Sequence, residues 1–240
     1  MPDVAALTVE GLVAGYGEVT ILNGVDLTLA RGSLTTIIGA NGAGKSTLLR
    51  ALGGNVAARE GTIRLEGRDV TGLTALERLA CGVGHVPQGR CNFPGLSVAQ
   101  NLALGAYSRR DGRAEIEADT RALLDRFPVL ARRAGTLAGN LSGGEQQLLE
   151  TAMVLMTRPR LLLLDEPSLG LSPKMMDAVF DNARQLCNDG LTVLVVEQNA
   201  VEALRLSDVG VVMELGRVRH VAPAGQVLEH PEIRSMVLGL

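Results

Sequence analysis

The chain has 240 residues, 46% of them hydrophobic and 20% charged, with a formal net charge of −3 at pH 7. That length suits one large domain, or a core carrying an inserted lobe, and exceeds what a fragment-sized binder needs. Its apolar residues come in short runs such as Leu161 to Leu164 and Leu191 to Val196, far below the roughly 20 needed to span a bilayer, and a mildly acidic chain has no global basic field to draw it to nucleic acid. Met1 to Glu10 has neither a basic start nor an apolar stretch with a cleavage site, so the cytoplasm is the expected compartment. Cys81, Cys91 and Cys187 are widely spaced and form no CxxC pair, which argues against a disulfide framework or a zinc site and predicts ordinary buried or partly buried thiols. Lys45 and Lys174 are the two lysines among 23 basic residues, so a lysine inside a glycine-rich loop stands out.

In chain order, Leu7 to Val13, Val25 to Leu29 and Leu34 to Ile38 read as strands separated by turn signals. Glycine then breaks the pattern from Gly39 to Lys45, and Ser46 to Gly53 has helical character, giving strand, loop and helix in succession. An antiparallel pair is expected at Gly61 to Glu66, turning through Glu66-Gly67-Arg68. From about Pro94 to Thr157 the texture is helical, and Ser97-Val98-Ala99-Gln100 forms a capping-box pattern. Between Asp111 and Arg133 the apolar positions Leu123, Leu124, Phe127 and Leu130 are spaced for one buried helical face, the charges around them forming a solvated surface. Beyond Pro159 strands and helices alternate: Leu161 to Leu164, Pro173 to Asn188, Leu191 to Val196 and Val201 to Leu206. Fully apolar strands alternating with helices imply a parallel sheet covered on both faces.

Gly39-Ala40-Asn41-Gly42-Ala43-Gly44-Lys45-Ser46-Thr47 matches the P-loop pattern G-x-x-x-x-G-K-[ST], between an apolar strand and a helix as its mechanism requires. Backbone N–H groups of such a loop surround a β-phosphate and the helix N-terminus adds positive potential. Lys45 reaches the β- and γ-phosphates, and Ser46 is a ligand for Mg²⁺. Asp165 and Glu166 end the apolar run Leu161 to Leu164, where sheet-based nucleotide sites gather their catalytic groups. Asp165 is expected to complete the Mg²⁺ shell and Glu166 to orient or deprotonate the attacking water. In Leu141-Ser142-Gly143-Gly144-Glu145-Gln146-Gln147, Ser142 and Glu145 form a capping box. The two glycines cost the helix roughly 1 kcal/mol each relative to alanine and leave N–H groups bare at a positive helix end, a second anion site. If both helix starts serve one nucleotide, the second must come from another subunit, because the first already has Lys45 and its metal ligands.

With the P-loop, the sequence LSGGE and the DE pair in order over nearly the whole chain, the sequence resembles the ATP-binding cassette (ABC) ATPases. The resemblance implies an α/β P-loop NTPase with a RecA-like parallel-sheet core, a small antiparallel β subdomain and an inserted helical subdomain. It divides the single domain into a core of about 1–93 and 158–240 and a helical subdomain of about 94–157. It implies that Tyr16 stacks on adenine, that Gln88 joins Mg²⁺ to the helical lobe, and that Ser168-Leu169-Gly170-Leu171 crosses a dimer interface. It also implies that two such domains sandwich two ATP molecules head to tail, each between one P-loop and the partner's Ser142, Gly143, Gly144 and Glu145. The cofactors implied are ATP and Mg²⁺.

Two positions depart from the common family pattern. Gln198 stands where a histidine usually contacts the γ-phosphate; glutamine can donate a hydrogen bond but carries no charge, which leaves Glu166 as the candidate base. Met153 stands where an arginine is common. The segment Glu197-Gln198-Asn199-Ala200, together with Val86 to Arg90, Asp165 to Leu171 and the ending Arg234 to Leu240, is similar to the smaller ATP-binding subunit of bacterial branched-chain amino-acid importers. That resemblance implies ATP hydrolysis coupled to solute import at the cytoplasmic face of the membrane. The implied partners are transmembrane permease subunits, a second ATPase subunit (a copy or a relative) and, indirectly, a periplasmic or lipid-anchored solute-binding protein. Urea or short-chain amide importers have closely similar subunits, and soluble cassette ATPases of repair or translation are a further alternative. A P-loop GTPase is disfavoured by the lack of an NKxD motif, and LSGGE has no role in a small-molecule kinase.

Overall fold

The computed structural model describes residues 5–229; the ending Arg234 to Leu240 lies outside them. Strands β1 (Leu7–Tyr16) and β2 (Val19–Leu29) form a hairpin closed by Gly17 and Glu18, with Tyr16 opposite Val19. Both extend beyond the apolar runs expected of them, because shifts in pairing register keep glycine and polar positions within the ladder. The fully buried β3 (Leu34–Ile38) leads through the glycine loop into α1 (Lys45–Leu52). Strand β4 (Ala58–Leu65) pairs antiparallel with β1 and turns through Glu66 (φ 49°) and Gly67 (φ 81°) into β5 (Arg68–Asp69), the doubly positive geometry of a tight hairpin turn. Helix α2 (Ala75–Ala80), with a Thr74–Glu77 capping box, precedes β6 (Val83–Val86).

The middle of the chain is helical: α3 (Val98–Gly105), α4 (Arg113–Arg126), α5 (Pro128–Arg132) and α6 (Gly143–Leu155). Capping boxes start α3 at Ser97 and α6 at Ser142, as their sequences specify. These helices enclose a separate apolar cluster that includes Val98, Leu102, Phe127, Leu130, Leu148 and Leu149. Across Asp111 to Arg133 the expected apolar positions do meet one cluster, Phe127 and Leu130 buried in it and Leu123 and Leu124 partly buried against it, but they do not lie on a single continuous helix. No residue of α4 is buried, Phe127 leaves helical geometry, and Pro128 begins a new helix. The cause is local: a proline disfavours helical backbone at the residue before it, so Phe127 and Leu130 reach the cluster from the break and from α5.

After the lobe come β7 (Leu161–Asp165), α7 (Pro173–Asn188), β8 (Thr192–Val196), α8 (Ala200–Arg205), β9 (Val209–Glu214), β10 (Arg217–Pro223) and α9 (Ala224–Glu229). Two sheets result. One is antiparallel in the order β2-β1-β4-β5; the other runs β10-β9-β3-β8-β7-β6, parallel throughout except for the β9–β10 hairpin. The largest apolar cluster lies between the sheets around α1, joining Leu12 and Leu22 to Leu48, Leu163 and Val196. A second cluster covers the other face of the parallel sheet with Phe180 and Leu186 of α7. Cys81 and Cys91 are partly buried and Cys187 is buried, all as free thiols. Among the described residues no helix is long and apolar enough to cross a membrane.

Candidate nucleotide site

The carboxyl ends of β3, β7 and β8 lie side by side in the parallel sheet. This is where an α/β sheet presents its loops to a ligand. From β3 the chain enters the glycine loop with so little room that a Cβ on Gly39 would sit 2.2 Å from the Met213 carbonyl oxygen. The loop is also pinned from outside, because the Gly216 N–H in the β9–β10 turn donates to the Ala43 carbonyl at 2.9 Å and the Asn23 N–H donates to the Gly216 carbonyl at 2.9 Å. Asn41 and Gly42 are exposed, whereas Ala43, Gly44 and Thr47 are buried.

Lys45 is 5% exposed and its Nζ donates to the carbonyls of Gly39 (2.8 Å) and Ala40 (3.3 Å). Burial lowers the pKa of this ammonium below the ordinary lysine value, against the opposing charges of Glu166, Asp165 and Glu197. Beside it, Ser46 Oγ donates to Asp165 Oδ1 at 2.9 Å. The other oxygen, Asp165 Oδ2, is buried without a hydrogen-bond partner. A hydroxyl facing a carboxylate that keeps a free buried lone pair fits a hard divalent cation. Among the described residues no cluster of three or more His, Cys, Asp or Glu side chains could hold a metal alone, and Mg²⁺ bound with substrate phosphates needs only one or two carboxylates.

Glu166 adopts φ 49°, a left-handed conformation that costs a non-glycine residue about 1–2 kcal/mol. Its N–H donates to the Val196 carbonyl at 2.9 Å, prolonging the β7–β8 ladder by one residue. The side chain accepts from Gln88 Nε2 at 2.6 Å, so the residue expected to contact the metal and the candidate base already touch. Gln198 is exposed and lines one hollow with Glu166, Ser168, Glu197 and Asn199. Tyr16 is 44% exposed, and its hydroxyl accepts from Arg50 of α1 at 3.3 Å, which ties the ring to the helix that follows the loop.

The LSGGE segment, the family's signature sequence, is held by its own capping box. Glu145 Oε2 accepts from the Ser142 N–H at 2.8 Å and Ser142 Oγ accepts from the Glu145 N–H at 3.4 Å. The box thereby uses the N–H groups of Ser142 and Glu145 and leaves those of Gly143 and Gly144 at the helix start. Glu145 also pairs with Arg133 at 3.3 Å. Burial raises its pKa, but the Ser142 donors and the nearby arginines outweigh that effect and hold it below the usual carboxylate range. Gly143 and Gly144 pack against Leu171 and Met175. Among the described residues no hydrogen bond joins this segment to the glycine loop, so Lys45, Ser46, Gln88, Asp165 and Glu166 come together and Ser142 to Glu145 do not join them.

Two contributors are not singled out by the sequence reading. Glu197, 2% exposed, accepts from the Ser168 N–H at 2.9 Å and the Gln198 N–H at 3.2 Å. It therefore clamps the loop after Glu166 to the loop bearing Gln198. Burial raises its pKa against the opposing N–H groups of Ser168, Asn199 and Gln198. Its signal is an acid directly after a buried strand, the pattern that exposes Asp165. Arg78, 1% exposed, donates to the carbonyls of Ala51 (2.6 Å) and Leu52 (2.9 Å) and so holds the C-terminal end of α1; an arginine beside a glutamate in a short helix gives no sequence signal.

A glycine loop between a buried strand and a helix, with carboxylates at the ends of the neighbouring parallel strands, defines a P-loop nucleoside triphosphatase. The family model described as ABC transporter matches residues 22–169, and the chain belongs to that family. It is 42% identical over 224 residues to the high-affinity branched-chain amino acid transport ATP-binding protein BraG of Pseudomonas aeruginosa, covering 93% of this chain and 95% of that one. It is 38% identical to the probable branched-chain amino acid transport ATP-binding protein LivF of Archaeoglobus fulgidus, covering 95% and 97%. Among solved structures, a nucleotide-free ATP-binding cassette from an ABC transporter superposes with a TM-score of 0.87 at 27% identity, covering 97% and 98%. The dimeric post-hydrolysis cassette MJ0796 bound to ADP and Pi superposes at 0.79 with 25% identity, covering 91% and 98%. The chain is thus a nucleotide-binding, ATP-hydrolysing member of the family.

Proposed function

We propose that this chain is the ATP-hydrolysing subunit of an importer for branched-chain amino acids, working at the cytoplasmic face of the membrane. The solute rests on the similarity to BraG and LivF. The chemistry rests on one observation, the contact set in which Ser46 meets Asp165 and Gln88 meets Glu166 at the end of β7.

In this reading Tyr16 stacks on adenine and residues 39–47 surround the phosphates, with Lys45 exchanging its two loop carbonyls for phosphate oxygens. Ser46, Asp165 and Gln88 hold Mg²⁺, which when bound offsets the negative charge of the phosphates. Glu166 orients a water oxygen for in-line attack on the γ-phosphorus and accepts its proton as the bond to the β–γ bridging oxygen breaks. Gln198 donates a hydrogen bond to the γ-phosphate. Ser142, Gly143, Gly144 and Glu145 serve the nucleotide of a second ATPase subunit, in agreement with their separation from the chain's own glycine loop and with the dimeric MJ0796 cassette. The helical lobe, about 94–157, docks on the permease. A groove between α2 and the end of α3, lined by Leu76, Leu79, Tyr107 and Arg110, suits that role because Leu76 is 70% and Tyr107 88% exposed. A solute-binding protein outside the membrane supplies the amino acid.

The test is Glu166→Gln in the full-length chain. Hydrolysis should fall by at least about 100-fold, the loss typical of a missing general base, while ATP binding persists. Hydrolysis by the variant at the wild-type rate would rule out Glu166 as the base. For the solute, the chain reconstituted with its permease in proteoliposomes should import labelled leucine; uptake of urea but not leucine would replace the solute and leave the ATPase reading standing.

A further inference from the structure

Helix α6 carries a carboxylate on its buried face. Glu150 is 2% exposed and stands eight residues beyond Ser142, about 12 Å along the helix. Its Oε1 accepts three hydrogen bonds: from the Cys91 N–H at 3.0 Å, the Asn92 N–H at 3.3 Å and Asn92 Nδ2 at 2.6 Å. None of these donors is charged. A buried carboxylate held by neutral donors is a poor source of stability, because an apolar side chain of similar volume avoids the desolvation cost. What the carboxylate adds is register, fixing where the loop sits along the helix.

The loop so held begins at Gln88, whose amide contacts Glu166. Residues 87–90 are exposed, so the anchorage lies just beyond them, at Cys91 and Asn92 on α6 and at Phe93. The last is tied to α3 by Asn101, which accepts from the Phe93 N–H at 2.8 Å and donates to its carbonyl at 3.1 Å. One end of this short loop reads the nucleotide site of its own chain. The other end grips the helix whose N-terminus, at Ser142 to Glu145, makes no hydrogen bond to the glycine loop of that site among the described residues.

We propose that Glu150 is a positioning residue that makes the Gln88 loop and helix α6 move as one piece, so that occupancy of one nucleotide site sets the placement of the signature segment offered to the other. The inference rests on the roles of Gln88 and Ser142 to Glu145 in the proposed function. Its physical content is the three-donor tie, and two variants address it from opposite sides: Glu150→Met keeps roughly the side-chain volume and removes the acceptor, and Asn92→Ala removes the 2.6 Å donor while leaving the Glu150 carboxyl in place.

Cys91 is a built-in reporter that needs no hydrolysis. Its thiol is pushed up to about 12 by burial and by the neighbouring Glu150 charge, so it should react slowly with a maleimide in the nucleotide-free wild-type chain. Peptide-resolved labelling by mass spectrometry should be about tenfold faster in Asn92→Ala, in which the loop is loosened and the Glu150 carboxyl retained. In ATPase assays both variants should keep KM for ATP within about twofold and lose about tenfold in kcat, the size of a broken coupling between sites. The double variant should be no slower than the slower single, as for two partners of one contact. Unchanged Cys91 labelling in Asn92→Ala, unchanged kcat in both variants, or losses that multiply in the double would each overturn the proposal. A wild-type chain that binds ATP but never hydrolyses it would refute the proposed function instead, and the labelling result would still decide the Glu150 tie.

Discussion

Glu166 holds both a strained backbone and the contact with Gln88. Strain at a single non-glycine residue persists only when its surroundings over-determine it, and here the Val196 carbonyl on one side and the Glu197–Ser168 clamp on the other supply that constraint. Glu197 leads to a pH prediction. Its pKa is raised in the folded chain, so the stability it contributes is full below the unfolded value of a glutamate and is lost as pH rises through the folded value. The wild-type melting temperature should therefore gain more between pH 7 and pH 5 than that of Glu197→Gln. Equal gains in differential scanning fluorimetry would show that the carboxylate is not the group responsible. Asp165 and Glu166 are legible in the sequence because two acids end an apolar run in a chain that also has a P-loop. Glu197 ends a run of the same kind and opens a segment that carries the resemblance, but no role attaches to it there, because its role depends on a contact with a residue 29 positions away.

At the scale of elements, the glycine loop is pinned by a hairpin 173 residues further along the chain, counted from Ala43 to Gly216. The β9–β10 turn brings Gly216 (φ 75°) against β2, where an added Cβ would lie 1.8 Å from the Ile21 carbonyl oxygen. The same residue donates to Ala43 in the loop. Gly216→Val should destabilise the fold by about 3 kcal/mol, because it combines a disallowed conformation with a backbone clash. It should also weaken ATP binding. Urea denaturation and titration with a fluorescent nucleotide measure the two effects, and an unaltered affinity would show that the turn does not shape the loop. None of this is readable from local pattern: β10 is exposed or half-exposed at every position and owes its existence to pairing with β9. The opposite case is α6, whose Ser-Gly-Gly-Glu start specifies its capping box completely. The break at Phe127 lies between these extremes, since Pro128 announces it but the spacing of apolar residues runs straight through.

At the scale of the whole molecule, the chain has two helix starts that the proposed function assigns to phosphate, and no hydrogen bond joins them among the described residues. The expectation of a second subunit comes from the sequence, as a surplus of candidate phosphate sites; how the two starts are placed requires the fold. In the Glu166→Gln background, MgATP should convert the monomer to a dimer on size-exclusion chromatography with light scattering. Adding Ser142→Arg should abolish that dimer yet leave nucleotide binding by the single chain intact, since among the described residues no hydrogen bond joins Ser142 to its own glycine loop. Loss of binding by the monomer would place the signature in the same site as Lys45. Lys45 also braces the glycine loop from within. Its ammonium bonds to the carbonyls of Gly39 and Ala40, so one side chain closes the loop on itself. In the proposed function those two bonds are given up for phosphate oxygens, and binding ATP is then an exchange of partners rather than a filling. A site organised this way gives up some tightness of binding, and what it gains is ease of release, the quality that an engine cycling on cellular ATP requires.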